Sequence, residues 1–133
     1  MIVLDTHAIV WWVSEPDRLP AKVRRLVGTV IKDGEKLRAS SISIREIAML
    51  AERKRLTFTM PADVWISHVQ RLPFLEFVPV DNGIALRSTR LDGFPHRDPA
   101  YQMIVATALG LGATLVTADS RLRAYRPLRS VWD

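Results

Sequence analysis

The chain has 133 residues, of which 48% are hydrophobic and 25% charged, with no cysteine. That composition suits one globular domain spanning residues 1–133 and excludes disordered, collagen-like and coiled-coil classes. The missing cysteine excludes disulfide scaffolds, thiolate zinc sites and cysteine nucleophiles. Lys and Arg total 19 against 14 Asp and Glu, a net charge of +5, and most of the cations are arginine. Arginine's planar fork fits phosphate oxygens, so the charge points to a polyanion such as nucleic acid, with a merely solvated basic surface as the alternative.

In chain order, the first element is a short apolar strand, Ile2-Val3-Leu4. The apolar stretch Ala8 to Val13 that follows is far short of a membrane span. Met1 to Val13 also lacks a basic leader and contains Asp5, so the protein is expected in the cytoplasm, away from membranes. Leu37 to Ser40 reads as a second strand. Ile44, Ile47, Ala48 and Ala51 then recur at helical spacing. Pro61 opens another helix, carrying Val64, Trp65 and Val69. Leu75 to Val80 is a third strand. Ala100, Ile104, Ala108 and Leu111 form a helical stripe, and Gly110-Leu111-Gly112 ends it as a C-cap. Thr114 to Thr117 is a fourth strand and Arg129 to Trp132 a short fifth. Apolar strands alternating with amphipathic helices indicate an α/β fold with a mostly parallel sheet buried on both faces.

Open parallel sheets place their sites beyond the carboxyl ends of the strands. Asp5 follows the first strand directly, and Glu46 lies in the first helical turn after the second. Asp81 follows the third strand, Asp98 opens the helix before the fourth, and Asp119 follows the fourth. Each acid has a structural alternative. Asp5, Asp81 and Asp119 suit turns or helix caps, Asp98-Pro99 is an N-cap with a first-turn proline, and Ser43 with Glu46 reads as a capping box. Asp81 is the weakest member, because the third strand is a candidate edge. Carboxylates crowded on one edge repel one another, and a bound hard cation, Mg²⁺ or Mn²⁺, resolves the conflict. Acids, a hard metal and an arginine-rich surface together suggest phosphodiester chemistry.

Met1-Ile-Val-Leu-Asp5-Thr6-His7-Ala8, Ser41-Ile-Ser43-Ile-Arg-Glu46-Ile47-Ala48, His96-Arg97-Asp98-Pro99 and Ala113-Thr-Leu-Val-Thr117-Ala-Asp119 resemble the PIN domain, and more closely the VapC-type toxins of bacterial toxin–antitoxin pairs. The resemblance runs from Met1 to about Tyr125. It implies a parallel sheet of strand order 3-2-1-4-5 flanked by helices. It also implies a Mg²⁺- or Mn²⁺-dependent endoribonuclease that acts on RNA, is held inactive by an antitoxin, and forms a homodimer. By position, Asp5, Glu46 and Asp119 match family acids, and Thr6 and Thr117 match small polar residues lining the pocket. The family's helical acid falls at Tyr101, so Asp98, one turn earlier, either replaces it as a ligand or only caps the helix.

Two further readings stand beside this one. A PIN-like fold that has lost its chemistry would only bind RNA or a protein, and Tyr101 is the residue in its favour. A phosphotransfer domain with Asp5 as nucleophile would need a second acid beside Asp5 and a strand-end lysine, and neither is present. His7, His68 and His96 lack zinc-ligand spacing; His7 and His96 fall near the strand-end edge as candidates to touch substrate, but all three are set aside as packed or solvated. Trp11 and Trp12 cannot share a helix face, so one of them is a candidate marker of a partner surface. Arg53-Lys54-Arg55 and Arg121, Arg123 and Arg126 are candidate phosphate contacts or a solvated face.

Overall fold

A computed structural model describes residues 1–133. Five parallel strands form one sheet in the order β3-β2-β1-β4-β5. They are β1 (Ile2–Leu4), β2 (Leu37–Ser40), β3 (Leu75–Val78), β4 (Thr114–Val116) and β5 (Ser130–Val131). Parallel neighbours require crossovers, which seven helices supply: α1 (Thr6–Ser14), α2 (Ala21–Lys32), α3 (Ile42–Glu52), α4 (Ala62–Gln70), α5 (Asn82–Ser88), α6 (Pro99–Leu111) and α7 (Ser120–Ala124). The expected class and strand order hold. β3, β4 and β5 are each shorter than the sequence suggests, although the Thr117 amide still donates to the Val131 carbonyl at 3.2 Å and the Arg129 carbonyl accepts from the Leu115 amide at 2.8 Å.

Alternation along β1 divides the core. Ile2 and Leu4 face a layer containing Ile9, Val23, Leu37, Ile47 and Val69. Val3 faces the opposite layer, with Ile104, Val105, Ala108, Leu115 and Leu122. β1 is buried at every position, as a central strand covered on both faces should be. The α6 stripe packs as expected, and Gly112 closes that helix in the left-handed region at φ 63°. The α4 stripe is only partly right: Trp65 and Val69 turn inward, but Val64 is 39% exposed. α4 also begins at Ala62, with Pro61 as its N-cap residue.

Trp11 and Trp12 do diverge. Trp11 packs against Trp132 at 5.7 Å with Arg18 4.4 Å over its ring, and Trp12 packs against Phe74 at 5.4 Å. Both rings are half-buried against this chain's own residues. No helix is long and apolar enough to cross a membrane.

Leu115 is fully buried between β1 and α6, whereas Leu86 is 52% exposed. Leu115→Ala should therefore cost about 2–5 kcal/mol in urea unfolding, and Leu86→Ala within about 0.5 kcal/mol of nothing.

Candidate active site at the carboxyl edge

The register sets the geometry of this edge. Leu4 pairs with Ala39 on one side and Val116 on the other. The next residues, Asp5, Ser40 and Thr117, therefore come side by side where the three central strands end. The Asp5 amide still donates to the Val116 carbonyl at 3.0 Å, so the ladder continues one bond into the site. The Asp5 side chain is buried. Its Oδ1 accepts from the Thr6 amide at 2.7 Å, capping α1, and its Oδ2 accepts from the Thr117 hydroxyl at 2.7 Å.

Thr6 links this centre to α3. Its hydroxyl donates to Glu46 Oε1 at 2.6 Å and lies 2.9 Å from the Ser43 hydroxyl. Ser43 is fully buried inside α3, one residue past that helix's start, and Ser41 is the N-cap residue. The capping box read from Ser43 and Glu46 does not form. Both side chains turn toward Thr6 instead, because α3 begins earlier than the motif assumes.

Asp119 caps α7, accepting from the Arg121 and Leu122 amides at 2.9 and 3.2 Å. Asp98 caps α6 by accepting from the Ala100 amide at 2.9 Å, and it is exposed. Asp81 accepts from the Ile84 amide at 2.8 Å beside the edge strand β3. The cap readings for Asp81, Asp98 and Asp119 thus hold geometrically. For Asp98 and Asp119 capping does not remove them from the edge.

Charge distinguishes the acids. Burial pushes the Asp5 carboxyl above its ordinary value, outweighing the hydrogen bonds from Thr117 and Thr6. Burial likewise raises Glu46, against the bond from Thr6, with the charges of Asp5 and Asp98 adding to it. For Asp119, burial is the largest single influence and acts upward. The Leu122 amide, His96 and the Arg121 amide together outweigh it and hold the carboxyl below its ordinary value. Tyr101 lies among these groups. Its phenol is pushed up to about 12, first by burial and then by the charges of Asp5, Asp119, Glu46 and Asp98. The four acids and Tyr101 therefore share one electrostatic neighbourhood.

His96, which the sequence places near this edge but which is set aside there as packed or solvated, belongs to the site. Its Nε2 lies 3.3 Å from Asp119 Oδ1, and its ring stacks on Tyr101 at 4.4 Å and 15°. Its place near the strand-end edge points here, but the contacts with Asp119 and Tyr101 have no sequence signal. His7 is exposed, with its ring 5.8 Å from Trp11.

Acids at the carboxyl edge of a 3-2-1-4-5 parallel sheet, with Asp5 buried at its centre, define the class. The PIN domain profile matches residues 2–127, and the chain belongs to the PIN-domain family. It is 33% identical over 130 residues to ribonuclease VapC22 of Mycobacterium tuberculosis, covering 98% of this chain and 95% of that protein. Among solved structures, VapBC2 of Rickettsia felis bound to a promoter DNA fragment superposes with TM-score 0.73 at 17% identity, over 100% of both chains. DNA-bound VapBC of Salmonella typhimurium gives 0.71 at 20% identity, over 98% of this chain and 96% of that one. The likeness to both solved structures is one of fold.

The raised acids fix a pH dependence for the metal-free protein. Asp5 and Glu46 bind protons more readily folded than unfolded, so stability should rise as pH falls from neutral toward their ordinary values of 3.8 and 4.5. Asp119 is lowered, so its contribution is present above its ordinary value of 3.8 and is lost as pH falls below it. Asp5→Asn removes the buried charge and should raise the melting temperature in EDTA at pH 7 by about 3 °C, the response of a domain this size to roughly 1 kcal/mol. A fall in melting temperature would show that the Asp5 charge is not under strain.

Proposed function

We propose that this chain is a divalent-metal-dependent endoribonuclease toxin of the VapC type, acting in the cytoplasm and neutralised by an antitoxin. The observation that carries the reading is the convergence of Asp5, Glu46 and Asp119 on one edge, held by Thr6, Thr117 and the start of α7. The relationship to ribonuclease VapC22 and the VapBC complexes that share the fold support it. They also support an antitoxin partner, and with it the expectation of a homodimer.

The donor set suits a hard cation, Mg²⁺ or Mn²⁺. It is all oxygen, and Asp5 carries the burden of a desolvated charge that a cation would relieve. No three carboxylates or imidazoles stand close enough to close a coordination sphere by themselves. Asp5, Glu46 and Asp119, with Asp98 at the rim, would supply one or two ligands each way round, and water or substrate oxygens the remainder, as is usual for Mg²⁺. When bound, the cation supplies Lewis-acid polarisation of the phosphate and a more acidic water.

The chain's own residues do the following. Thr6 and Thr117 fix the Asp5 carboxylate by both oxygens. Thr6 holds Glu46 by Oε1 and leaves Oε2 free to take a proton from a water aligned with the phosphate. Asp119 is kept ionised by the α7 amides and His96. Exposed Arg97, Arg121 and Arg126 offer cations to neighbouring phosphates.

Tyr101 favours a second reading, a weakened nuclease. A neutral phenol is a poor ligand for Mg²⁺, and it stands where the family places an acid.

Incubating the antitoxin-free protein with total bacterial RNA should give discrete cleavage in Mn²⁺, none in EDTA, and at least about a hundredfold less with Asp5→Asn. Equal cleavage by Asp5→Asn would remove Asp5 from the mechanism. Tyr101→Asp should tighten Mn²⁺ binding about tenfold in calorimetric titration. If it does not, while Asp98→Ala abolishes binding, Asp98 is the working ligand on α6.

A further inference from the structure

The carboxyl edge is crowded with hydrogen-bond donors, yet almost all of them are taken up by its own acids. The Thr6 amide and the Thr117 hydroxyl serve Asp5. The Thr6 hydroxyl serves Glu46. The Ala100 amide at the start of α6 serves Asp98, and the Arg121 and Leu122 amides at the start of α7 serve Asp119. His96 Nε2 lies against Asp119 as well. Arg45, Arg97 and Arg121 extend into solvent. A phosphate passing the exposed arginines at the rim meets negative charge on several sides of this ring, where a neutral donor that is not already engaged is needed.

The Tyr101 hydroxyl is that donor. It makes no hydrogen bond within the chain, and its ring lies against His96, which meets Asp119 at 3.3 Å. A phenol keeps its proton at physiological pH, so it donates. Its ring is held in one plane. His96 stacks on it at 4.4 Å and 15°, Phe94 packs on His96 at 5.9 Å, and Tyr125 meets Phe94 edge-on at 5.2 Å. The loop bearing His96 is anchored at both ends. Tyr125 donates its hydroxyl to the Asp92 carbonyl at 2.8 Å, and Gln102 donates its amide to the His96 carbonyl at 3.3 Å. Four rings in series thus fix the phenol from the far side of the loop.

We propose that the Tyr101 hydroxyl binds a non-bridging phosphate oxygen of an RNA strand, and that His96 is the positioning residue that sets the Tyr101 ring for that bond. The proposal rests on the ribonuclease reading for its substrate class. It assigns the tyrosine a task in place of the carboxylate it displaces: fewer charges to hold metal, and one neutral donor for the strand.

The test uses a fluorescein-labelled, randomised 12-nucleotide RNA, with affinity measured by anisotropy in EDTA and cleavage kinetics in Mn²⁺. Tyr101→Phe keeps the stack and loses only the hydroxyl. It should weaken metal-free affinity and raise KM each about tenfold, with kcat within about twofold, the scale of one hydrogen bond to a charged acceptor. His96→Ala should reproduce that loss and His96→Phe should restore it, because a ring again lies against Tyr101. A Tyr101→Phe protein equal to wild type in both affinity and KM overturns the proposal. So does a loss seen in Tyr101→Ala but not in Tyr101→Phe, which would make the ring a base-stacking platform. Hydroxyl-dependent binding by a wild type that cleaves nothing would sustain the proposal and sink the ribonuclease reading.

Discussion

The hydrogen bond from Thr117 to Asp5 joins residues 112 positions apart. It exists because β1 lies between β2 and β4 in a parallel register that ends both β1 and β4 at the same level. Every other feature of the edge follows from that alignment. Asp5 is desolvated because it continues the central strand, and α1 starts at Thr6 because Asp5 caps it. Thr6, now fixed, reaches Glu46 and Ser43 across the gap to α3. A slip of one residue between β1 and β4 would turn every β1 side chain to the opposite layer, so the apolar partition of Ile2, Val3 and Leu4 guards the site as well as the core.

Such an edge is built against local stability. A buried carboxylate and its raised neighbour cost free energy in the metal-free protein, and hydrogen bonds only partly offset it. Proteins retain arrangements of this kind where a ligand relieves the strain. Asp119 differs, since helix amides and His96 already satisfy it. The edge therefore combines acids that need a counter-charge with one that is already stabilised.

Much of this was legible in sequence because periodicity and strand-end acids are local signals. The three-residue β1 and its trailing Asp5, the α6 stripe and the Gly112 cap all read correctly. The Ser43–Glu46 motif misled because a capping box and a buried polar pair share one spacing, and only the tertiary position of Thr6 separates them. Val64 misled because α4 is covered on one side only. The position of His96 near the edge was legible, but its partners were not, because Tyr101 and Asp119 come from α6 and the end of β4, and nothing in a loop sequence encodes a stack. α2 was passed over although Val23, Leu26, Val27, Val30 and Ile31 recur at helical spacing and pack on the core, whereas α5 carries little signal and buries only Ser88.

The central claim is that these acids form one cation site anchored on Asp5. Crystals soaked in Mn²⁺ and measured near the manganese absorption edge test it directly. The account predicts an anomalous peak about 2.1 Å from an Asp5 carboxylate oxygen, with Glu46 or Asp119 in the same coordination sphere and waters completing it. A peak confined to the rim at Asp98 or Asp81, or no peak at the edge in crystals that bind Mn²⁺ elsewhere, would contradict it.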